Sequence, residues 1–137
     1  MSLGIPLNTD STLKGQTVFL AERCGELMYN NIITDRTIID VMAFTMNAKS
    51  IPHQDKDAFE TYASEFIREY DYIFYISPHG LEIEDNGVRE TDEHYRDLID
   101  FTITTLIKRH GHKAGTIEKI SGSTEERIQQ ILNVTKL

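Results

Sequence analysis

An α/β fold with a parallel sheet is what this sequence predicts, and two observations predict it. Strand and helix patterns alternate along the whole chain, so the strand runs are separated by helical ones, the order that gives parallel strands with right-handed crossovers. Tyr72-Ile73-Phe74-Tyr75-Ile76 is a continuous apolar run without polar alternation. Strands of that kind are covered on both faces of a parallel sheet.

Taken in order, Asp10, Ser11 and Thr12 offer caps for a helix reaching about Tyr29, with Leu13, Leu20, Cys24, Leu27 and Met28 as its apolar stripe. Asn31-Ile32-Ile33-Thr34 is a short β-branched run that reads as a strand ending at Asp35-Arg36. From Thr37 to Lys49 the pattern is helical and apolar on several sides, which calls for burial or a partner. After the break at Ser50-Ile51-Pro52, Phe59, Tyr62, Ala63, Phe66 and Ile67 recur at amphipathic helical spacing. The strand at 72–76 follows. Residues 77–90 then read as a charged loop with Pro78, Gly80 and Asn86-Gly87. A helix carries Tyr95, Leu98, Ile99, Ile103 and Leu106, a weaker strand spans 116–120, and a closing helix begins near Thr124.

The 137 residues, 39% of them hydrophobic and 26% charged, fit a single domain. Lys and Arg number 14 against 22 Asp and Glu, and the formal charge of −8 opposes binding to nucleic acid or an anionic membrane. Cys24 is the one cysteine, so no intrachain disulfide forms; its apolar surroundings read as packing. Neither a signal peptide nor a long apolar run is present, which leads us to expect a cytoplasmic protein. Met1-Ser2-Leu3 reads as an expression scar and residues 4–137 as the domain proper.

Three places carry residues suited to chemistry. Asp35-Arg36 follows the run at 31–34, with Asp40 on the next helix; ligands of open α/β sheets gather at the carboxyl ends of strands. A carboxylate there can hold Mg²⁺ or take a proton from a hydroxyl, and the arginine fork can neutralise phosphate oxygens. The structural alternative is a helix-start acid and a local Arg36–Asp40 pair. The second place is the charged loop, whose fourteen residues exceed the usual connection of roughly four to six. As a lid it would bring Arg89 and Arg96 over a triphosphate and Glu84 or Asp85 to sugar hydroxyls. Its structural alternative is a solvated loop of self-paired charges. The third is Gly122-Ser123-Thr124, where Ser123 and Glu126 have capping-box spacing. The same turn can also line a nucleotide base. His110-Gly111-His112 lacks zinc-ligand spacing, and no metal is assigned to the histidines.

Read as a series, Gly4-Ile5-Pro6-Leu7-Asn8, Ala21-Glu22-Arg23, Ile33-Thr34-Asp35-Arg36-Thr37-Ile38-Ile39-Asp40, Tyr70 to Tyr75, Glu84 to Asp92 and Gly122 to Arg127 resemble the AAA_28 group of P-loop NTPases. That group includes nicotinamide-riboside-kinase-like domains and kinase-like phage and bacterial ATPases. The resemblance implies ATP and Mg²⁺ as cofactors and a nucleoside, nucleotide or related small molecule as phosphoryl acceptor. It places Asp35 at the substrate hydroxyl or Mg²⁺, Arg36 at substrate or phosphate, Arg89 in the lid, and Gly122-Ser123-Thr124 near the base. Asp85-Asn86-Gly87-Val88-Arg89 is similar to the group's D-G-x-R stretch with one residue inserted.

The departure from the group is large, because no segment fits the phosphate-loop pattern G-x-x-x-x-G-K-[ST]. The resemblance therefore implies a three-layer P-loop kinase-like sheet lacking its N-terminal strand and phosphate loop, and an inactive chain as it stands. On that view the runs at 31–35 and 72–76 flank a gap. They are expected to pair directly or to be completed by a second molecule, with the apolar helix from Thr37 to Lys49 aiding self-association. The alternative function is a noncatalytic NTP-binding switch, or an interaction module working through that helix.

Overall fold

The computed structural model describes residues 4–78 and 93–137. Helix α1 (Leu13–Glu26) starts where the Thr12 side chain accepts a hydrogen bond from the Gly15 amide at 3.1 Å, and it buries Gln16 and Leu20. Residues 27–37 then run as turn and coil, which corrects the strand expected at 31–34. β-Branched residues favour a strand only where a neighbour completes the ladder, and no described strand lies beside them. Ile33 is left 94% exposed.

Helix α2 (Ile38–Met46) opens on a capping box: Thr37 accepts from the Ile39 amide, and the Asp40 carboxylate accepts from the Thr37 amide at 2.8 Å. Its apolar character on several sides is matched by its place, since Ile38, Ile39, Val41, Met42, Ala43 and Thr45 are all buried. Helices α1, α3 (His53–Ala63) and α4 (Glu93–His110) pack around it. The apolar helix is thus satisfied within the chain, which corrects its expected use as a self-association or partner surface. Helix α3 passes into a 3₁₀ turn over Ser64–Glu69, placing Phe59, Ala63 and Ile67 in the same core.

Strands β1 (Tyr72–Ile76) and β2 (Thr116–Ile120) pair in parallel, Tyr72 opposite Thr116 and Ile76 opposite Ile120. With α4 between them in sequence they form a β-α-β unit, and α5 (Thr124–Thr135) follows. The chain is therefore a mixed α/β protein with a parallel sheet, of two strands among the described residues. β1 does not pair with residues 31–35 as the first expectation had it; it pairs with β2. One sheet face turns Ile73 into the core and Tyr75 toward Asp100 of α4. On the other, Tyr72 and Ile76 stay 43% and 40% exposed. Among the described residues no helix is long and apolar enough to cross a membrane.

Candidate functional site

The loop before α2 is held from both sides. Arg23 of α1 donates to the Asp35 carbonyl at 3.2 Å while pairing with Glu26 at 3.1 Å, and the Thr34 hydroxyl donates to the Arg36 carbonyl at 2.9 Å. Between these clamps Arg36 has φ +87°, a conformation rare for a residue with a Cβ and kept only where the surroundings enforce it. The Asp35 and Arg36 side chains are exposed. Arg36 pairs with no carboxylate among the described residues, and its guanidinium lies 5.7 Å over the Phe44 ring. Phe44 in turn meets Tyr95 at 6.4 Å. A chain of contacts thus joins the loop to the first turns of α4, where Arg96 sits.

Asp40, a candidate for substrate binding beside Asp35 and Arg36, has one carboxylate oxygen occupied by the Thr37 amide. Burial pushes its carboxyl up; the Thr37 amide and the Arg36 charge oppose that push without cancelling it. The capping role was legible, since Thr37-x-x-Asp40 has the capping spacing. The amides opening α2 are also occupied: Ile39 donates to Thr37, and Ile38 donates to the Tyr70 hydroxyl at 3.2 Å. Burial first of all lifts that phenol to about 12, so it stays neutral. A helix start whose amides are taken is no anion cradle. The exposed group at this helix start that an anion would meet is the Arg36 guanidinium.

Arg96 is three quarters buried, lies 3.5 Å from Asp97, and its Nε has no acceptor among the described residues. Glu84, Asp85 and Arg89 lie outside the described residues. Gly122 has φ +99°, and the turn it opens serves α5: Ser123 and Glu126 exchange bonds at 3.1 Å, and Thr124 accepts from Arg127 at 3.2 Å. The expected capping box is present and engages the amide and hydroxyl of Ser123, while the Thr124 hydroxyl is taken by Arg127.

One constellation escaped the sequence reading. At the carboxyl end of β1 the Tyr75 hydroxyl donates to the Asp100 carboxylate, and the Ser77 hydroxyl acts on the same phenol. Burial and the Asp100 carboxylate raise the Tyr75 phenol to about 12, against a smaller lowering by Ser77, so it remains a donor. The signal available was a polar tip in an apolar strand, which needs a buried partner; nothing local pointed to Asp100, 25 residues away. Compared with protein-family models, characterised proteins and solved structures, the chain matches none.

Proposed function

We propose that this chain is the carboxy-terminal part of a P-loop kinase-like domain whose intact form transfers phosphate from ATP·Mg²⁺ to a nucleoside, nucleotide or similar small hydroxyl acceptor. The observation that carries this reading is the clamped loop in which Arg36 is held at positive φ with Asp35 and Arg36 exposed side by side. Stored backbone strain of about 1–3 kcal/mol at a fixed charged loop is a mark of functional sites. The parallel β-α-β unit is compatible with the fold this reading requires. An Mg²⁺ held through substrate phosphates takes only one or two protein carboxylates, a demand that Asp35 alone can meet.

In this reading Asp35 receives the acceptor's proton or contacts Mg²⁺, and Arg36 neutralises phosphate oxygens. Arg89 and Arg96 supply lid charge, Glu84 and Asp85 take sugar hydroxyls, and Asp40 contributes by fixing the loop on α2. Gly122, Ser123 and Thr124 lie toward the base. The bound metal would neutralise charge between the phosphates. Because no phosphate-loop pattern occurs in the 137 residues, this chain alone is inactive in the same reading. The test assays the product of the complete reading frame: Asp35→Asn lowers phosphoryl transfer at least about tenfold with the melting temperature unchanged. Undiminished turnover in that variant removes Asp35 from the mechanism.

A further inference from the structure

Among the described residues β1 pairs on one edge only, with β2. The Thr116 amide donates to the Asp71 carbonyl at 2.9 Å. Because backbone groups alternate sides along a strand, the amides and carbonyls of Ile73 and Tyr75 face β2, and those of Tyr72, Phe74 and Ile76 face away from it. No described backbone group bonds those three outward residues. Their side chains share the sheet face opposite Ile73, where Tyr72 and Phe74 stack at 6.2 Å, Phe74 is half-buried, and Tyr72 and Ile76 are 43% and 40% exposed. Unprotected edges recruit strands, and natural proteins block them with charge, proline or a covering element. β2 has such devices: Glu118 and Lys119 lie in it, and Gln130 of α5 holds both backbone groups of Ser121 just beyond it. β1, Tyr-Ile-Phe-Tyr-Ile, has neither charge nor proline.

We propose that a second copy of this chain occupies that edge, its β1 running antiparallel about a twofold axis at Phe74, to give a four-stranded sheet ordered β2-β1-β1-β2. Identical edges related by a twofold pair antiparallel. In this register Phe74 meets the partner's Phe74 and Tyr72 meets the partner's Ile76, so every outward residue exchanges both its backbone bonds and none is left over. The seam itself sets no like charges against each other, which matters in a chain of net charge −8: the five paired residues are uncharged, and Asp71 falls opposite the partner's Ser77. Pairing uses up both β1 edges and leaves only the charged β2 edges outside, so assembly stops at two. This pairing concerns the sheet edge of the 137-residue chain. A domain completed as in the phosphoryl-transfer reading would lay its phosphate-loop strand on that edge, so the dimer is sought in the 137-residue chain and its absence there leaves that reading untouched.

Sedimentation velocity on the 137-residue chain from micromolar to near-millimolar concentration tests it. The expected result is a monomer passing to a dimer as concentration rises. Phe74→Lys and Phe74→Glu, which each set like charges across the axis, are both monomeric alone, and an equal mixture of the two returns the dimer. Restoration by mixing is a result that a merely destabilised fold does not give. A wild-type chain that stays monomeric throughout, assemblies larger than two, or variants that dimerise alone like the wild type would each overturn the proposal. Should the variants not fold, hydrogen exchange on the wild type decides. Protection of the Tyr72, Phe74 and Ile76 amides that rises with concentration supports the pairing, and concentration-independent exchange refutes it.

Discussion

Glu60 shows how one side chain ties distant helices. Its carboxylate, 14% exposed, accepts from Arg109 Nη1 at 2.7 Å and lies 2.7 Å from His110 Nε2. This links α3 to the last turn of α4, where positive charge also complements the helix dipole. Burial pushes the Glu60 carboxyl up, yet the Arg109 and His110 bonds outweigh it and hold the group below its ordinary 4.5. A depressed carboxyl adds stability that is fully present above the unfolded-state value and is lost as pH falls through the folded-state value. Glu60→Gln is therefore expected to lose about 1–2 kcal/mol at neutral pH, toward the low end for a charged hydrogen bond because Arg109 is half exposed. It should also flatten the acid side of the stability curve below 4.5. Urea titrations at pH 7 and at acid pH check both parts; equal losses at the two would show that the carboxylate charge plays no role.

At the level of elements, the start of the parallel pair depends on a missing side chain. A Cβ on Gly115 would lie 2.5 Å from the Asp71 carbonyl oxygen, and backbone cannot swing aside as a side chain end can. The Gly115 amide itself donates to the Tyr70 carbonyl at 3.0 Å, bringing the two segments together one residue before β2. Gly115→Ala is expected to push the strands apart and to destabilise by about 1–3 kcal/mol, the usual range for overpacking. An unchanged urea midpoint would mean that the two segments separate freely. Elsewhere the elements follow from local chemistry: Thr12, Thr37 and Ser123 each start a helix as side-chain caps. Helix α5 differs in that it buries no residue and leaves Ile128 and Leu132 51% and 38% exposed.

For the whole molecule, the arrangement of charge bears on what the chain can bind unaided. The amides opening α2 are occupied by Thr37 and Tyr70, and the α5 cap occupies those of Ser123 and Glu126. No sequence segment supplies the amide-and-lysine cradle that holds β- and γ-phosphates. With a net charge of −8 besides, the 137-residue chain is expected to bind ATP·Mg²⁺ without micromolar affinity. Isothermal titration checks this directly, and a micromolar dissociation constant would show a phosphate site that neither the capped helix starts nor the sequence reveals.

The sequence by itself determined what rests on spacing over a few residues. The apolar stripes of α3 and α4, the Ser123–Glu126 capping box, the uninterrupted strand at Tyr72–Ile76 and the α/β class all depend on neighbours within about two helical turns. Tertiary structure decided the rest, because each such feature needs a partner far along the chain. Asn31-Ile32-Ile33-Thr34 has strand chemistry but no strand beside it among the described residues, so it stays coil. The apolar α2 was as consistent with an exposed partner surface as with a core, and it became the core because α1, α3 and α4 close around it. Asp100 met Tyr75 across 25 residues, and His110 met Glu60 across 50. Backbone ladders and buried polar pairs are satisfied only by groups that folding brings together, and no local pattern encodes which groups those are.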